Sequence, residues 1–388
     1  MRLAMIGTGY VGLVSGACFA DFGHFVTCVD KDGDKIAALR RGEIPIFEPG
    51  LDALVATNVK AGRLDFATDL SEPVANADAV FIAVGTPSRR GDGHADLSYV
   101  HAAAREIAAA RSGFPVVITK STVPVGTGDE VERLILETNP SAEVAVASNP
   151  EFLREGAAIR DFKFPDRIVV GTSDERARKI IGEIYRPLSL NQAPVMYTAR
   201  RTAELIKYAA NAFLATKITF INEIADLSER VGADVQEVAR GIGMDNRIGS
   251  KFLHAGPGFG GSCFPKDTSA LVRIALDHDV PLRIVEAVLA VNDNRKRARR
   301  DVARQDHRRA RPHLQARYRR HARSAVDSLG DRPSGYGRES PRLRSGRHGA
   351  GAPRTARHHL LRGRLCLRRG RRRAGDRHRV GAVPGAGS

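Results

Sequence analysis

The stretch "RLAMIGTGYVGLVSGACFADFGHFVTCVD", residues 2–30, decides the fold. "LAMI" is a short apolar run of the strand type. "GTGYVG" follows at once and sets Gly7, Gly9 and Gly12 in G-x-G-x-x-G spacing, with Tyr10 and Val11 between them. An apolar helical segment comes next, then a second strand-like run, "FVTCV", ending at Asp30. This order predicts a dinucleotide-binding unit. Its glycines let the turn tighten and let the backbone approach a pyrophosphate at a helix N-terminus. Asp30 stands about 20 residues past the motif, where a carboxylate bonds the ribose 2′-OH of an adenosine. It would repel a 2′-phosphate, so the expected cofactor is NAD rather than NADP. Arg2 and the uncharged run after it also have features of a secretion signal. The glycine spacing and the acid-terminated strand favour the nucleotide reading.

Working outward, further strand-like runs occupy 77–87, 115–124, 143–150 and 167–172, separated by helical patterns such as 97–110. The alternation predicts an α/β fold, a doubly wound parallel sheet with crossover helices. Ligands in such sheets bind beyond the carboxyl ends of the strands. Thr86, Thr122 and Glu151 fall there, although threonines beside proline are also ordinary turn chemistry. The segment 200–232 contains neither proline nor internal glycine and predicts one long helix stopped by Gly232. Its length suits a link between domains or a subunit interface. Lys207 and Asn211, spaced i,i+4, share one face of it.

Composition divides the chain. Of four cysteines, Cys18, Cys28, Cys263 and Cys366, none suggests a disulfide framework, which fits a reducing cytoplasm. No apolar run reaches the roughly 18 residues of a membrane helix. The formal charge is +17, but residues 297–388 hold 27 Arg, no Lys and 6 acids, a net of +21, leaving −4 for residues 1–296. That last segment also lacks Ile, Phe, Asn and Met, so two differently composed parts join near Arg297.

Cys263 lies in "GPGFGGSCFPKD" (256–267), after four glycines and before Lys266 and Asp267. An inert buried cysteine has little use for that setting. The glycines would let a substrate reach the backbone. The helix opening at "PKDTSALVRIAL" would put the thiol near a positive dipole end. Lys266 would add a cation that lowers the thiol pKa, and Asp267 would accept a proton. A thiol beside NAD implies aldehyde oxidation through a thioester.

"GTGYVG", "VGTP", "STVPVGT", "NPEFLREG", "KYAANAFLATKITFINE" and "GPGFGGSCFPKD", in this order, resemble the UDP-glucose/GDP-mannose dehydrogenase family, which oxidises an alcohol to an acid in two steps. The resemblance covers Met1 to about Arg297. "FLREGAAIRDFKFPDRIVVG" and "FLHAGPGFGGSCFPKD" look most like the UDP-glucose branch, the alternatives being GDP-mannose or a UDP-N-acetylhexosamine. The resemblance implies that Cys263 forms a thiohemiacetal and then a thioester. Lys207, helped by Asn211, would stabilise the oxyanion. Thr122 and Asp267 would hold a water that assists deprotonation, and Glu151 would be the base of hydrolysis. Asp30, Lys35, Thr86, Thr122, Glu155 and Lys266 would line the NAD site. Glu151, Phe152, Leu153, Arg154 and Glu155 would clamp the sugar nucleotide. So would Phe252, Leu253, His254, Ala255, Gly256 and Gly260, with Lys207 and Asn211. No metal is expected. The expected divisions are an NAD-binding Rossmann-like domain at 1–197, a helical central domain with the substrate site and a homodimer interface at 198–296, and the arginine-rich segment at 297–388.

The family carries a second Rossmann-like domain after "VNDNRKR"; here "ARRDVARQDHRRARPHLQARYRRHAR" follows, so that domain is expected to be missing or replaced. A basic arm for nucleic acid is one reading, but the segment has no Lys and almost no aromatics. A shifted reading frame is the other. With free choice only at degenerate codon positions, Arg304–Ala322 re-reads as GKTIAVLGLTFKPDTDDMR and Arg372–Val380 as DALVIVTEW, both family-like and in one frame. On that reading residues 297–388 are disordered, the chain is a poor enzyme or none, and it binds no specific nucleic acid.

Overall fold

A computed structural model describes residues 1–89, 93–110, 116–191 and 193–298. The expectations for the arginine-rich segment, including the re-read stretches, lie outside the described residues, apart from the end of the helix over 283–298.

Eight strands form one sheet: β1 (Arg2–Ile6), β2 (Phe25–Val29), β3 (Leu64–Ala67), β4 (Ala79–Ile82), β5 (Val116–Thr119), β6 (Ala145–Ser148), β7 (Ile168–Gly171) and β8 (Val195–Thr198). Their order is β3-β2-β1-β4-β5-β6-β7-β8. The first six are parallel in the Rossmann-like order, with the switch point between β1 and β4. Pleating sends Leu3 and Met5 of β1 into the core under α1 (Tyr10–Asp21), and Ala4 and Ile6 into a second core on the opposite face. Strands buried on both faces read as continuous apolar runs, which is why the sequence exposes them.

Two expectations need correction. The sheet is not parallel throughout: β7 pairs antiparallel with β6, and β8 runs parallel to β7. The connection from β6 to β7 holds only a six-residue helix, α7 (Ala158–Lys163). That is shorter than a helical crossover between parallel strands usually needs. The edge strands β3 and β8 carry exposed positions and were not expected.

Between them the sheet is flanked by α2 (Gly33–Arg40), α3 (Leu51–Lys60), α4 (Ser71–Ala75), α5 (Ser98–Ala110), α6 (Thr127–Thr138) and α8 (Glu175–Tyr185). The long helix α9 runs Arg200–Val231 and ends at Gly232, whose φ of 75° is left-handed. After it come α10 (Val235–Gly243), α11 (Phe264–Asp277) and the helix over 283–298. Among the described residues no helix is long and apolar enough to cross a membrane.

α9 is docked on the sheet by close backbone approach and by a buried carboxylate. A Cβ on Gly171 would lie 2.7 Å from Arg200 Cα and 2.6 Å from Ala203 Cβ, so only glycine admits the helix here. One turn on, Glu204 accepts bonds from Gly126 N–H (2.7 Å), Gly128 N–H (2.8 Å) and Ser148 Oγ (2.8 Å). It thereby caps α6, whose opening residue Gly126 has no side chain to do so. Burial raises the Glu204 carboxyl above its ordinary range, although these three bonds pull it down. A raised value means that the folded chain holds this proton more readily than the unfolded one. The group therefore favours folding at pH below the ordinary carboxyl value, and that advantage is lost as pH rises through the raised value. Glu204→Ala, which strands three buried donors, is expected to cost about 3–5 kcal/mol, and Glu204→Gln about 1–2 kcal/mol. Thermal unfolding of the two variants checks this; equal midpoints in both and in wild type would remove Glu204 from the docking.

Candidate active site

The turn after β1 has the geometry its glycines require. Gly7 has φ 105°, and a Cβ there would lie 2.6 Å from Ala83 O. A Cβ on Gly12 would lie 1.9 Å from Gly7 O, so Gly12 is needed for helix to meet turn. Gly9 differs: a Cβ on it would meet nothing within 4 Å, and no side chain caps α1. The first-turn N–H groups, with the positive end of the helix dipole, are thus available to an anion. Asp30 closes β2. Its Oδ2 accepts from Thr8 N–H (2.9 Å), Thr8 Oγ1 (2.7 Å) and Lys35 Nζ (2.9 Å). Its Oδ1 accepts only a 3.2 Å bond from Asp32 N–H, so it retains acceptor capacity. Burial would raise this carboxyl, but the Thr8 and Lys35 bonds outweigh it and bring it down to about 2. An open helix N-terminus and an ionised acid at the next strand end fit a dinucleotide with a free ribose 2′-OH.

Farther along the strand ends, α9 and α11 meet the loop after β6. Lys207 Nζ stands 3.5 Å from Glu151 Oε1 and 5.2 Å from the Phe152 ring centroid, with both ionic side chains buried. One turn along α9, Asn211 Nδ2 donates to Asp267 Oδ2 at 2.6 Å. Asp267 is 1% exposed, and among the described residues its Oδ1 has no hydrogen-bond partner, with Lys266 Nζ at 3.3 Å. Lys266 also donates to Thr86 Oγ1 (3.2 Å), which donates to Thr122 O (2.8 Å). Residues 180 apart in sequence therefore meet over the ends of β4 and β5.

Cys263 is the residue before α11, and its carbonyl accepts from Asp267 N–H at 2.8 Å. The thiol is exposed, 3.8 Å from Ser262 Oγ, and that hydroxyl donates to Glu155 Oε1 at 2.7 Å. The expected depression of its pKa is not found. Desolvation pushes the thiol up, and the Ser262 bond and the Lys207 charge only partly offset it, while Asp267 and Glu151 add to the rise. The cation acting on it is Lys207; Lys266 is turned to Thr86 and Asp267.

The segment 252–260 is pinned from behind. Asn222 Oδ1 accepts from Gly256 N–H (2.7 Å), and Arg295 Nε donates to Gly256 O (2.7 Å). Asn292 pairs with both Phe259 N–H (2.8 Å) and Phe259 O (3.2 Å). A Cβ on Gly258, φ 106°, would lie 2.6 Å from Asn292 Oδ1. Phe252, His254 and Gly256 line a recess of about 260 Å³ with Ile218, Asn222 and Phe259. Ala255 lies on the same segment, and Gly260 faces Lys296. Leu253 does not open onto the recess: it is buried against Ile221 and Ala239. Arg154 also turns away, bonding Asp161 through Nε (2.9 Å) and Nη2 (2.6 Å), and Leu153 packs on the sheet core. Phe152 lies under the Arg167 guanidinium, 3.8 Å from its ring centroid.

Several residues here were not found from sequence. Glu48 accepts from the Tyr10 hydroxyl, from Gly156 N–H (2.8 Å) and from Ala158 N–H (2.8 Å), so it joins the first residue of α1 to the loop after β6. Desolvation and that bond push the Tyr10 phenol up. Asn292 and Arg295 lie on the helix over 283–298, and no motif in the sequence marks them.

Residues 1–189 match the NAD binding domain of the UDP-glucose/GDP-mannose dehydrogenase family, and residues 201–294 match its central domain. The chain is similar to the UDP-glucose 6-dehydrogenase of Rhizobium meliloti, 75% identical over 300 residues, covering 77% of this chain and 69% of the relative. It is 52% identical over 297 residues to the UDP-glucose 6-dehydrogenase YwqF of Bacillus subtilis, covering 76% and 67%. Among solved structures, a UDP-glucose dehydrogenase from Pyrobaculum islandicum superposes with TM-score 0.73 at 46% identity, covering 75% of this chain and 68% of that one. A GDP-mannose dehydrogenase from Pseudomonas aeruginosa superposes with TM-score 0.62 at 38% identity, covering 76% and 69%. The chain thus spans about two thirds of the length of these relatives. With an NAD binding domain, a central domain and their fold in the same order, the chain belongs to the UDP-glucose/GDP-mannose dehydrogenase family.

Proposed function

We propose that this chain catalyses the NAD-dependent four-electron oxidation of UDP-glucose to UDP-glucuronate: UDP-glucose, two NAD+ and water give UDP-glucuronate, two NADH and protons. The observation that carries the reading is the pairing of Lys207 with Glu151 and of Asn211 with Asp267, with the charges of Lys207, Asp267 and Glu151 acting on the Cys263 thiol. The close similarity to UDP-glucose 6-dehydrogenases supports the substrate. We assign residues 1–197 to NAD and residues 198–296 to substrate and subunit contacts.

Gly9 and Asp30 would hold NAD, which would supply the hydride acceptor for each oxidation. The chain's residues supply the rest. Asp267 Oδ1, lacking a hydrogen bond, accepts the proton of the C6 alcohol through a water shared with Thr122. The Cys263 sulfur adds to the aldehyde carbon, and Lys207 and Asn211 donate to the oxygen that becomes negative. Loss of the second hydride leaves a thioester, and Glu151 takes a proton from the water that cleaves it, returning the thiol. The thiol gives up its proton as the sulfur adds to the aldehyde; Asp267, once it has passed the alcohol proton to solvent, is the acceptor that leaves Glu151 free for the hydrolysis.

α9 leaves Leu205, Phe213, Phe220 and Leu227 exposed at spacings of eight, seven and seven residues, with Val231 exposed one turn farther on. A stripe of this kind wants a partner helix, and we assign it to a homodimer contact. The proposal includes no specific nucleic-acid function.

Cys263→Ser should lower turnover by at least about 1,000-fold and leave NAD affinity intact. Iodoacetamide should modify Cys263 slowly near neutrality and speed up only at pH above the ordinary thiol range; fast modification at neutral pH would contradict the geometry. Asp30→Ala should weaken NAD binding by about 10–100-fold with little change for NADP, as titration calorimetry would register. Phe213→Glu should turn a dimer into a monomer by light scattering, whereas an unchanged mass would assign the stripe elsewhere.

A further inference from the structure

Lys120 ends β5 and is buried at 3% exposure, yet no step above uses it. Its Nζ donates to Asn149 Oδ1 (3.2 Å) and to Tyr185 Oη (3.1 Å). The Tyr185 hydroxyl in turn donates to Asn149 Oδ1 (2.6 Å), and Asn149 Nδ2 donates to Val169 O (2.8 Å). The rings of Phe162 and Tyr185 lie 5.7 and 5.8 Å from the amine. Thus one amine gathers β5, β6, β7 and α8. The neighbours on its two sides matter for chemistry: Lys120 is two residues before Thr122, and Asn149 is two before Glu151. The charges that act on it are those of Glu151 and of Lys207 on α9, while the nearby Cys18 thiol on α1, pushed up to about 12 by burial, is neutral. Burial pushes the amine down to about 8, Lys207 adds to the fall, and Glu151 opposes it.

Burying a lysine costs several kcal/mol unless its bonds repay it, and a methionine would fill the same space without that cost. The geometry of the bonds supplies the reason for a lysine. Rigid placement of reacting groups within a fraction of an ångström needs a supporting shell of this kind. We propose that Lys120 is a positioning residue for the oxidation proposed above: its amine ties the outgoing ends of β5 and β6 to α8, so that Thr122 and Glu151 are held toward one site. The inference rests on that reading for its chemical meaning, but the tie itself can be measured without turnover.

The test is Lys120→Met in the full chain, followed by hydrogen–deuterium exchange and steady-state kinetics with UDP-glucose and NAD. Exchange in 120–126 and 149–157 should quicken by about 10-fold or more, while α1 and α9 exchange as in wild type and NAD affinity stays within about 2-fold. kcat should fall by about 10–100-fold with KM little changed, as for a misplaced catalytic group. Tyr185→Phe, which removes the hydroxyl without a cavity, should quicken the same two segments by less. Wild-type exchange in both segments, or a wild-type kcat in Lys120→Met, would overturn the proposal. If Lys120→Met loosens the whole chain, Tyr185→Phe decides, and unchanged exchange in it overturns the tie. Absence of turnover in the unsubstituted chain would count against the proposed oxidation, and the exchange measurement would still decide the role of Lys120.

Discussion

The site depends on where one helix meets the sheet. Glu204 is buried on α9 with its carboxylate against the N-terminus of α6 and the end of β6. An isolated carboxylate could not be buried there; three donors and a helix N-terminus make it possible. Once Glu204 is fixed, helical geometry fixes the side chains on the next two turns of α9. Lys207 is three residues on and Asn211 seven, so they lie on the same face. That face reaches Glu151 at the end of the sheet and Asp267 on α11. A rotation of α9 by one residue would turn both polar groups away, and Gly171 removes the bulk that would force such a rotation.

The electrostatics of the site favour a resting thiol. Desolvation opposes the ionisation of Cys263 most, the carboxylates Asp267 and Glu151 add to it, and Lys207, the cation that acts on the thiol, is already paired with Glu151. A site built to keep a standing thiolate would be arranged otherwise, with the cation beside sulfur. On the mechanism proposed above, the cation and the amide of Asn211 serve an oxygen that gains charge during addition. Donors aimed at a charge that develops later stabilise the transition state more than the ground state. Desolvation does most to hold the thiol protonated, and the carboxylates that add to its effect are the groups able to receive its proton.

Much of this was legible in the sequence because its signals are local. The glycines at 7, 9 and 12 and the acid at 30 report a turn whose sterics admit little else. The apolar runs of β4 to β7 report burial on both faces, and the uninterrupted segment 200–232 reports α9 almost to the residue. The reversal of β7 was not legible, since it depends on how short a connection is rather than on composition. Nor were Glu48, Lys120, Glu204, Asn292 and Arg295. Each is a polar residue whose partners are 29 to 111 positions away, and nothing beside it in sequence marks it. Lys266 shows the converse error: proximity in sequence suggested that it serves Cys263, whereas its side chain is spent on Thr86 and Asp267.

The central claim is that the sulfur of Cys263 carries the sugar as it is oxidised. The most direct test is mass spectrometry of a Glu151→Gln variant quenched after mixing with UDP-glucose and NAD. Slowed hydrolysis should let a covalent sugar-nucleotide adduct accumulate on the peptide containing Cys263, in step with NADH. NADH formed without that adduct, or an adduct on any other residue, would contradict the account.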